Sequence, residues 1–470
     1  MDEAALAGWA AEEFGAAELG DARRTARLVA LAAALGANPA ATLPEACGDR
    51  AALKAAYRFF DADGVTPDAL LASHVRATYA RLAAVPLVLA AQDTTLLDWT
   101  HHPATTGLGP LGSAKQQGLL VHSTLALTPE RVPLGLLAQQ VWARDAATFG
   151  QLPDQHTRGI AAKESQKWLT SLAAVVAARA ACPQARFVSV GDREADVYDL
   201  FAAERPAGVD VLARATQDRG IADPDHRRLR AAVAAAPVAA TVTLHLPRRG
   251  AQPARDAALT VRWRAVTLRP PKRRVEAGED LPTVPVWAVW AREAAPPPGQ
   301  EPIAWLLLTT VPVGDTGAAL ERLAWYACRW GIEVWHKILK SGCRIEARQL
   351  ATAERLRRCL ALYSVIAWRV LWATMLARAL PDAPCTALLE DDEWQALYCA
   401  IHRTPAPSAT PPSLHEAVRW LAHLGGFLAR TRDGDPGVTS LWKGFQHLAD
   451  LTTMYRIMRP APPGRNVGKD

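Results

Sequence analysis

Closely spaced cysteines are missing from this sequence of 470 residues. The seven cysteines are odd in number, and no two of them form a Cys-x-x-Cys pair. This spacing argues against a disulfide framework and against a structural zinc site, because both need paired or clustered cysteines. The sequence therefore predicts free thiols in a reducing compartment, which fits the cytoplasm.

Long apolar runs and a leader pattern are missing as well. No unbroken apolar run reaches the roughly 20 residues that span a membrane, and the N-terminal MDEAALAGWA lacks a basic segment followed by an apolar one. Half of the residues are hydrophobic and 21% are charged, which is an ordinary globular balance. We therefore expect a cytoplasmic protein without a membrane partner, divided into two to four structural units.

Positive charge is present in excess, and it is concentrated. The chain has a net charge of +6, yet residues 227–274 contain twelve Arg or Lys and a single acid, an excess of +11. The helical N-terminal region adds two basic stripes at helical spacing. The stripes are Arg23, Arg24 and Arg27, and Arg50, Lys54 and Arg58. Each stripe is either a solvated helix face or a surface that binds the phosphates of a nucleic acid.

Apolar segments of strand length predict an α/β core. VPLVLAAQD and ARFVSVGD end in Asp93 and Asp192, and VDVLARAT and IAWLLLTT are typical of further buried strands. Residues 221–300 contain strand-length segments separated by Pro, Gly and Arg, which indicates an antiparallel β insertion. A long helix is predicted along residues 316–341, and further helices follow to the C-terminus.

Three acids have the strongest case for chemistry. Asp93 and Asp192 each end a predicted strand, where a sheet presents side chains to a cleft. Glu333 lies on the predicted helix, in a narrow polar stripe that spans roughly 80° at about 100° per residue. The stripe consists of Tyr326, Arg329, Glu333, Lys337 and Lys340. It is either a salt-bridged surface or one wall of a site.

Such a set of carboxylates suits a hard divalent cation such as Mg²⁺. Two ions roughly 4 Å apart can activate a water or a 3′-hydroxyl and stabilise the leaving oxygen of a phosphodiester. The neighbouring Arg and Lys would neutralise phosphate charge. No Ser-His-Asp or Cys-His arrangement is evident by pattern, and this chemistry needs no protein nucleophile.

These motifs resemble the cut-and-paste DDE transposases of bacterial insertion sequences. The branch concerned has a Tyr-x-x-Arg-x-x-x-Glu-x-x-x-x-x-x-Lys signature, matched here by Tyr326, Arg329, Glu333 and Lys340. AQDTTLLD around Asp93 and GDREADVYDL around the second acid are similar to the other two acidic motifs of the family. LGDARRTARL, IAWLLLTT and SLWKGFQHL extend the resemblance over nearly the whole chain.

The resemblance implies an α/β fold with a ribonuclease-H-like catalytic core, an inserted antiparallel β subdomain, and helical N- and C-terminal domains. The implied domains are a DNA-binding domain (1–75), a core in two parts (76–220 and 301–380), the β insertion (221–300) and a C-terminal dimerisation region (381–470). It also implies metal-dependent cleavage of transposon ends through a hairpin, strand transfer into target DNA, and a homodimer bound to double-stranded DNA. Localisation would be cytoplasmic, on the nucleoid when bound to DNA.

The resemblance also implies roles for single residues. Asp93, Asp192 and Glu333 would be the catalytic ligands of two Mg²⁺ ions, for which Mn²⁺ could substitute. The DNA-binding residues implied by position are Tyr326, Arg329, Lys340, Trp305, Arg214, Arg23, Arg24 and Arg27. Among these, Trp305 would stack on a base taken out of the helix.

One departure and two alternatives remain. Gly331 lies inside the catalytic helix, where glycine costs about 1 kcal/mol relative to alanine; it would either allow close approach of DNA or lower efficiency. The first alternative is a transposase-derived DNA-binding protein without catalysis. The second is a different nuclease on the same core, such as a resolvase or a ribonuclease.

Overall fold

The fold was examined in a computed structural model that describes residues 8–150, 163–246, 253–430 and 433–458. The chain divides into two compact units, one of residues Met1–His74 and Trp335–Asp470 and the other of Val75–Val334. Both implied terminal domains therefore fall within the first unit, while their outermost residues, 1–7 and 459–470, lie outside the described residues. The finer domain boundaries stay predictions.

Strands occur only in the second unit, within the described part of the chain. They are β1 Leu87–Asp98, β2 Gly109–Pro110, β3 Gln117–Leu127, β4 Pro133–Trp142, β5 Arg186–Gly191, β6 Val209–Arg214, β7 Ala240–Leu246, β8 Arg255–Leu268, β9 Val284–Glu293 and β10 Ala304–Thr309. They form one sheet in the order β2-β3-β1-β5-β6-β10-β9-β8-β7, with β4 paired to β3. The predicted α/β class is confirmed at this level.

Helices occur in both units. They are α1 Gly8–Phe14, α2 Ala22–Ala37, α3 Leu43–Cys47, α4 Arg50–Asp61, α5 Pro67–Leu82, α6 Gln166–Ala181, α7 Tyr198–Ala202, α8 Leu229–Ala235, α9 Lys272–Glu276, α10 Thr316–Cys328, α11 Trp330–Lys337, α12 Ala353–Ala379, α13 Asp391–His402, α14 Leu414–Leu424 and α15 Val438–Met458. Capping side chains fix several starts; for example, Asp315 accepts a hydrogen bond from the Ala318 amide at the start of α10.

The directions of the strands indicate which edge of the sheet is suited to a ligand-binding site. β1 runs antiparallel to β3 and parallel to β5, which is parallel to β6. Beyond β6 every neighbour is antiparallel. Because β1, β5 and β6 point the same way, their carboxyl ends meet at one edge of the sheet, where ligands commonly bind.

One face of this sheet packs on a continuous apolar core. Val88, Phe187, Val211 and Leu308 from the strands are each at most 1% exposed and belong to a cluster with side chains of α6 and α8. The apolar segments read from the sequence therefore form strands because they are buried inside the second unit.

The predicted β insertion is antiparallel, as expected, but it does not form a sheet of its own. β9 pairs with β10, so β7, β8 and β9 extend the same sheet outward from β6 and β10. The segment also contains two short helices, α8 and α9, which the strand-like pattern did not predict. Hydrogen bonding across β9 and β10 makes the insertion continuous with the sheet that holds the candidate site.

The long helix predicted along 316–341 is interrupted. α10 ends at Cys328, Arg329 follows as its C-cap, and α11 begins at Trp330. From Ile338 to Gly342 the backbone is π-helical. A single 3.6-residue period is therefore wrong for this stretch, because two changes of helix geometry lie within it.

The first unit is helical within its described residues. α12 is long and apolar enough by composition to cross a membrane, with a mean hydropathy of 1.6, but 89% of the apolar window is buried inside the protein. It contacts α2, α4, α14 and α15. We therefore interpret α12 as the core helix of this unit. Its apolar residues are interrupted by charged ones, so it contains no unbroken apolar run of membrane-spanning length.

Candidate active site

Asp93 and Asp192 lie side by side at the shared edge of β1 and β5. The last parallel pair between these strands is Ala91 with Val190. Asp93 and Asp192 lie two positions beyond this pair in the same register. Because neighbouring strands lie about 4.8 Å apart, this register places the two acids next to each other. The expectation that each acid ends a strand is right for Asp192, which follows β5 directly, and wrong for Asp93, which lies within β1 opposite Ser123 of β3.

Burial affects the second of these acids. Burial raises the pKa of the Asp192 carboxyl, and the negative charge of Asp93 raises this pKa further. The Glu194 amide donates a 2.9 Å hydrogen bond to Oδ1 of Asp192 and lowers the pKa. The positive charge of Arg329 also lowers this pKa. The charges of Asp93 and Arg329 thus both shift the pKa of Asp192, as expected from the strand register that places the two acids side by side.

Arg329 links the acids to the helix. Its Nη1 lies 3.9 Å from Oδ1 of Asp93, and its Nη2 donates a hydrogen bond to Glu333 in the first turn of α11. The side chain of Arg329 is only 12% exposed. Burial alone would lower the pKa of Arg329, but Tyr326, Asp93 and Glu333 raise it, and the net shift is upward. One guanidinium thus contacts or influences all three predicted acids.

Two nitrogens of this guanidinium make no hydrogen bond, although one of them, Nη1, forms the 3.9 Å ion pair with Asp93. Nε and Nη1 of Arg329 are buried and have no acceptor within the described parts of the chain. A buried donor without an acceptor is unfavourable by about 1–3 kcal/mol. The arrangement therefore has unused capacity for an oxygen ligand, and a phosphate group would supply one.

An aromatic and basic group lies beside the acids. The rings of Trp305 and Tyr326 meet edge to face with centroids 5.5 Å apart, and the guanidinium of Arg329 lies 5.9 Å from the Tyr326 ring centroid. Arg214 donates a 2.8 Å hydrogen bond to the Ala304 carbonyl and interacts with Tyr326. The structure therefore brings Trp305, Arg214, Tyr326 and Arg329 together, although they come from β10, β6 and the α10 segment.

The carboxylates of Asp93, Asp192 and Glu333 are the candidate ligands for a metal ion. Three carboxylates are the hard oxygen donors that Mg²⁺ prefers. However, within the described residues no three His, Cys, Asp or Glu side chains are close enough to hold a metal ion as they stand. The charge of Arg329 lies where the carboxylates converge, so the donor set fits the metal only after this side chain releases Asp93 and Glu333.

Gly331 has a packing explanation. A Cβ at this position would lie 3.3 Å from Cδ1 of Leu127 on β3, which is tighter than ordinary contact. The glycine therefore lets α11 pack closely against the sheet. This accounts for the departure from helix-favouring residues without reference to DNA.

Two residues next to the site were not predicted from the sequence. Arg193 directly follows Asp192, and Trp330 directly follows Arg329 with 63% of its surface exposed. Adjacency to a predicted ligand was the available signal for both. They were overlooked because the search followed a single polar stripe and the strand ends.

Two segments of the chain match known protein families. Residues 6–65 match the family described as Transposase DNA-binding, and residues 365–461 match the family described as Transposase Tn5 dimerisation domain. These matches indicate a transposase. They support a Tn5-like protein with DNA as a partner and a homodimeric assembly.

The segment that matches the DNA-binding family presents basic side chains to solvent. Arg23 is 94% exposed, and Arg27 is exposed one turn further along α2. Arg24 is half-buried because its Nη1 donates a 3.0 Å hydrogen bond to the Leu19 carbonyl. Along α4 the three members of the second stripe are all exposed; these are Arg50, Lys54 and Arg58.

The remaining predicted residue, Lys340, lies in the π-helical segment and belongs to the first unit. Its proposed role therefore depends on the spacing of the motif. In the segment that matches the dimerisation family, the last turns of α15 expose apolar side chains. They are Met454, Ile457 and Met458.

Proposed function

We propose that this transposase is catalytically active and belongs to the DDE class with the Tyr-Arg-Glu-Lys signature. It cuts the ends of its element, releases the flanking DNA through a hairpin, and joins the 3′-ends to target DNA. The observation that supports this best is that Asp93 and Glu333, distant in sequence, both lie against the guanidinium of Arg329, while the register of β1 and β5 places Asp192 beside Asp93.

The acids would hold divalent cations once Arg329 turns away. Asp93, Asp192 and Glu333 supply only carboxylate oxygens, which suits Mg²⁺ or Mn²⁺. When bound, two such ions would polarise a water or a 3′-hydroxyl and stabilise the leaving oxygen. Arg329 would exchange its carboxylate partners for a phosphate, which its unused donors favour.

The other site residues would position DNA. Tyr326 and Lys340 would hold phosphates near the cut, and Arg214 would lie near the displaced base. Trp305 is half-buried and in contact with Tyr326, so a base stacked on its ring would lie beside the phosphate-binding residues. This proximity supports the hairpin route, which needs a base outside the helix.

Strand order supports a ribonuclease-H-like core as part of the proposal. The order β4-β3-β1-β5-β6, with an antiparallel first half and a parallel second half, is the arrangement expected for that core. We further propose that each subunit of the dimer cuts the end bound mainly by the other. The protein would act in the cytoplasm, on the nucleoid.

A cleavage assay tests the proposal. Purified protein is incubated with DNA that flanks its reading frame, with Mg²⁺ or with EDTA, and double-strand release is measured. Asp93→Ala, Asp192→Ala and Glu333→Gln should each abolish release, whereas Glu321→Gln, an exposed acid on α10, should retain it. Cleavage that survives loss of all three acids would contradict the site assignment.

A second candidate is a transposase-derived protein that binds DNA without cutting it. The bridging position of Arg329, which separates the carboxylates, favours this alternative. It predicts specific binding to the element ends with no release at any Mg²⁺ or Mn²⁺ concentration. The same assay therefore separates the two.

A further inference from the structure

A second cavity lies beside the candidate active site. Its volume is about 260 Å³, and its lining includes Arg193, Arg214, Arg230 and Trp290. Arg193 directly follows Asp192, so the cavity begins one residue from the predicted acids. Arg230 lies on α8 and Trp290 on β9, both within residues 221–300.

Positive charge in this cavity is not neutralised by the protein. Three arginines and no Asp or Glu line it, and none of the three forms an ion pair within the described parts of the chain. Arg214 is opposite Leu307 and points to the face of Trp305, so Arg193 and Arg230 are the cations considered for the face of Trp290. The guanidinium of Arg230 donates a 3.2 Å hydrogen bond to the Thr216 carbonyl, and the Asp218 carboxylate accepts from the Arg230 backbone amide without forming an ion pair with its side chain. Burial lowers the pKa of Arg214, Tyr326 opposes this, and the cations Arg193 and Arg329 lower it further. An anion would relieve this repulsion.

Trp290 gives the cavity an aromatic wall on its own face of the sheet. In the pairing of β9 with β10, Trp290 is opposite Leu306, while Trp305 is opposite Ala291. Because side chains alternate along a strand, Trp290 and Trp305 point to opposite faces. The ring of Trp290 is half-buried and also lies 5.7 Å from the guanidinium of Arg292. This is a separate aromatic surface from that of Trp305.

The volume of the cavity limits its ligand to a group about as large as one nucleotide. The volume lies below the roughly 300–1,000 Å³ typical of sites for drug-sized molecules, so duplex DNA cannot enter. A guanidinium cluster with one aromatic ring suits a phosphate and the base attached to it. A paired base is covered by its neighbours in the stack, so only an unpaired nucleotide could present both groups here.

We propose that Arg193, Arg230 and Trp290 form a second nucleotide subsite, which binds one unpaired nucleotide of the DNA strand. The phosphate contacts the guanidiniums and the base stacks on Trp290, on the face of the sheet opposite Trp305. This inference rests on the proposed DNA-cutting function. It adds a specific contact for a single strand that enters or leaves the site along the α8 side.

Photo-crosslinking tests the proposal directly. Full-length protein in EDTA is irradiated with a short single-stranded oligodeoxynucleotide containing 5-iodouracil, in the presence of excess unlabelled duplex that occupies duplex-binding surfaces. Cross-linked peptides are mapped by mass spectrometry. We expect a cross-link at Trp290 that falls several-fold in Arg230→Gln and persists in Arg227→Gln, an arginine that is also exposed but lies outside the cavity.

Affinity provides a second readout on matched tryptophans. Trp290→Leu should weaken binding of the oligonucleotide by about five-fold or more, the lower end of what stacking of one base contributes. Trp287→Leu, on the same strand but outside the cavity, should change it by less than about two-fold. Melting temperatures of all variants establish that each one is folded.

Three outcomes would overturn the inference. The first is the absence of a cross-link at Trp290. The second is an equal loss of oligonucleotide affinity in Trp287→Leu and Trp290→Leu. The third is that inorganic phosphate displaces the oligonucleotide from the wild type while Trp290→Leu binds the oligonucleotide with normal affinity. Cleavage of element ends is scored separately with Mg²⁺. Cleavage without the Trp290 cross-link refutes this inference alone, and the cross-link without cleavage refutes the proposed function alone.

Discussion

Replacement of Arg329 by glutamine should destabilise the metal-free transposase and make it more responsive to Mg²⁺. The guanidinium of Arg329 contacts Asp93 and Glu333, and its charge also acts on Asp192. Without it, the three carboxylates lose their shared counter-charge. A divalent cation would then be the remaining source of positive charge between them, and no arginine would compete with it.

The expected loss of stability lies between two limits. Removing one partner of a fully buried ion pair costs about 3–5 kcal/mol, and an exposed pair contributes about 0.2–1 kcal/mol. The carboxylates of Asp93 and Glu333 are 20% and 32% exposed, so solvent screens them in part. We therefore expect a loss of about 1–2 kcal/mol, which lowers the melting temperature by about 2–8 °C in a domain of this size.

Thermal unfolding with and without Mg²⁺ measures both effects. In EDTA, Arg329→Gln should melt below the wild type, and Mg²⁺ should raise its melting temperature more than it raises that of the wild type. Lys272→Gln is the matched control, since Lys272 and Glu276 also form an i,i+4 pair but are 88% and 59% exposed. It should melt within a degree or two of the wild type. An Arg329→Gln protein that gains stability in EDTA, or that ignores Mg²⁺, would refute the reasoning.

Further outcomes are expected from the pKa of Asp192, the α4 stripe and one glycine. Burial raises the pKa of Asp192, so its ionised form is lost at a higher pH than for an ordinary Asp, and cleavage at sub-saturating Mg²⁺ should fall early on acidification. Glu194→Gln removes a charge that raises this pKa and should move the acid limb of the rate profile to lower pH. Changing Arg50, Lys54 and Arg58 together to Gln should flatten the salt dependence of binding to end DNA, by roughly 0.9 in log–log slope for each lost phosphate contact; an unchanged slope in fluorescence anisotropy would mean that the stripe is only a solvated face. Gly135→Ala should destabilise the protein by about 1–3 kcal/mol in chemical denaturation, because Gly135 has φ 146° and an added Cβ would overlap Thr78, whereas Gly299→Ala, also at positive φ but with no atom near its Cβ, should lose less.

The strands of the core were predictable because burial is visible in short apolar segments. The segments ending near Asp192 and containing Trp305 became β5 and β10 at nearly the expected positions. Their pairing was not predictable, since apolar pattern gives no information on which strands are neighbours. The continuity of β9 with β10, which joins the insertion to the core sheet, therefore appeared only in the structure.

Part of the proximity within the candidate site was predictable from spacing, and the geometry was not. Spacing alone selected Tyr326, Arg329 and Glu333, and these three do lie together. Spacing could not show that Arg329 would lie between the carboxylates. That position depends on the break between α10 and α11 and on the register of β1 against β5, both of which are tertiary features.

The helix break at Arg329 explains how the site tolerates its own charge. Because α11 starts at Trp330, Glu333 falls in the first turn of a helix, where unpaired amides favour a negative charge by about 0.3–1 kcal/mol. In an uninterrupted helix Glu333 would lie in the interior and lose that benefit. Arg329, the residue at the break, directs different nitrogens of its planar fork toward Glu333 and Asp93, whereas a lysine would have to reach both acids with one nitrogen. The same local irregularity that interrupts the helical period therefore stabilises Asp93 and Glu333 in this structure, and under the proposed function the side chain of Arg329 would turn away from them when metal binds.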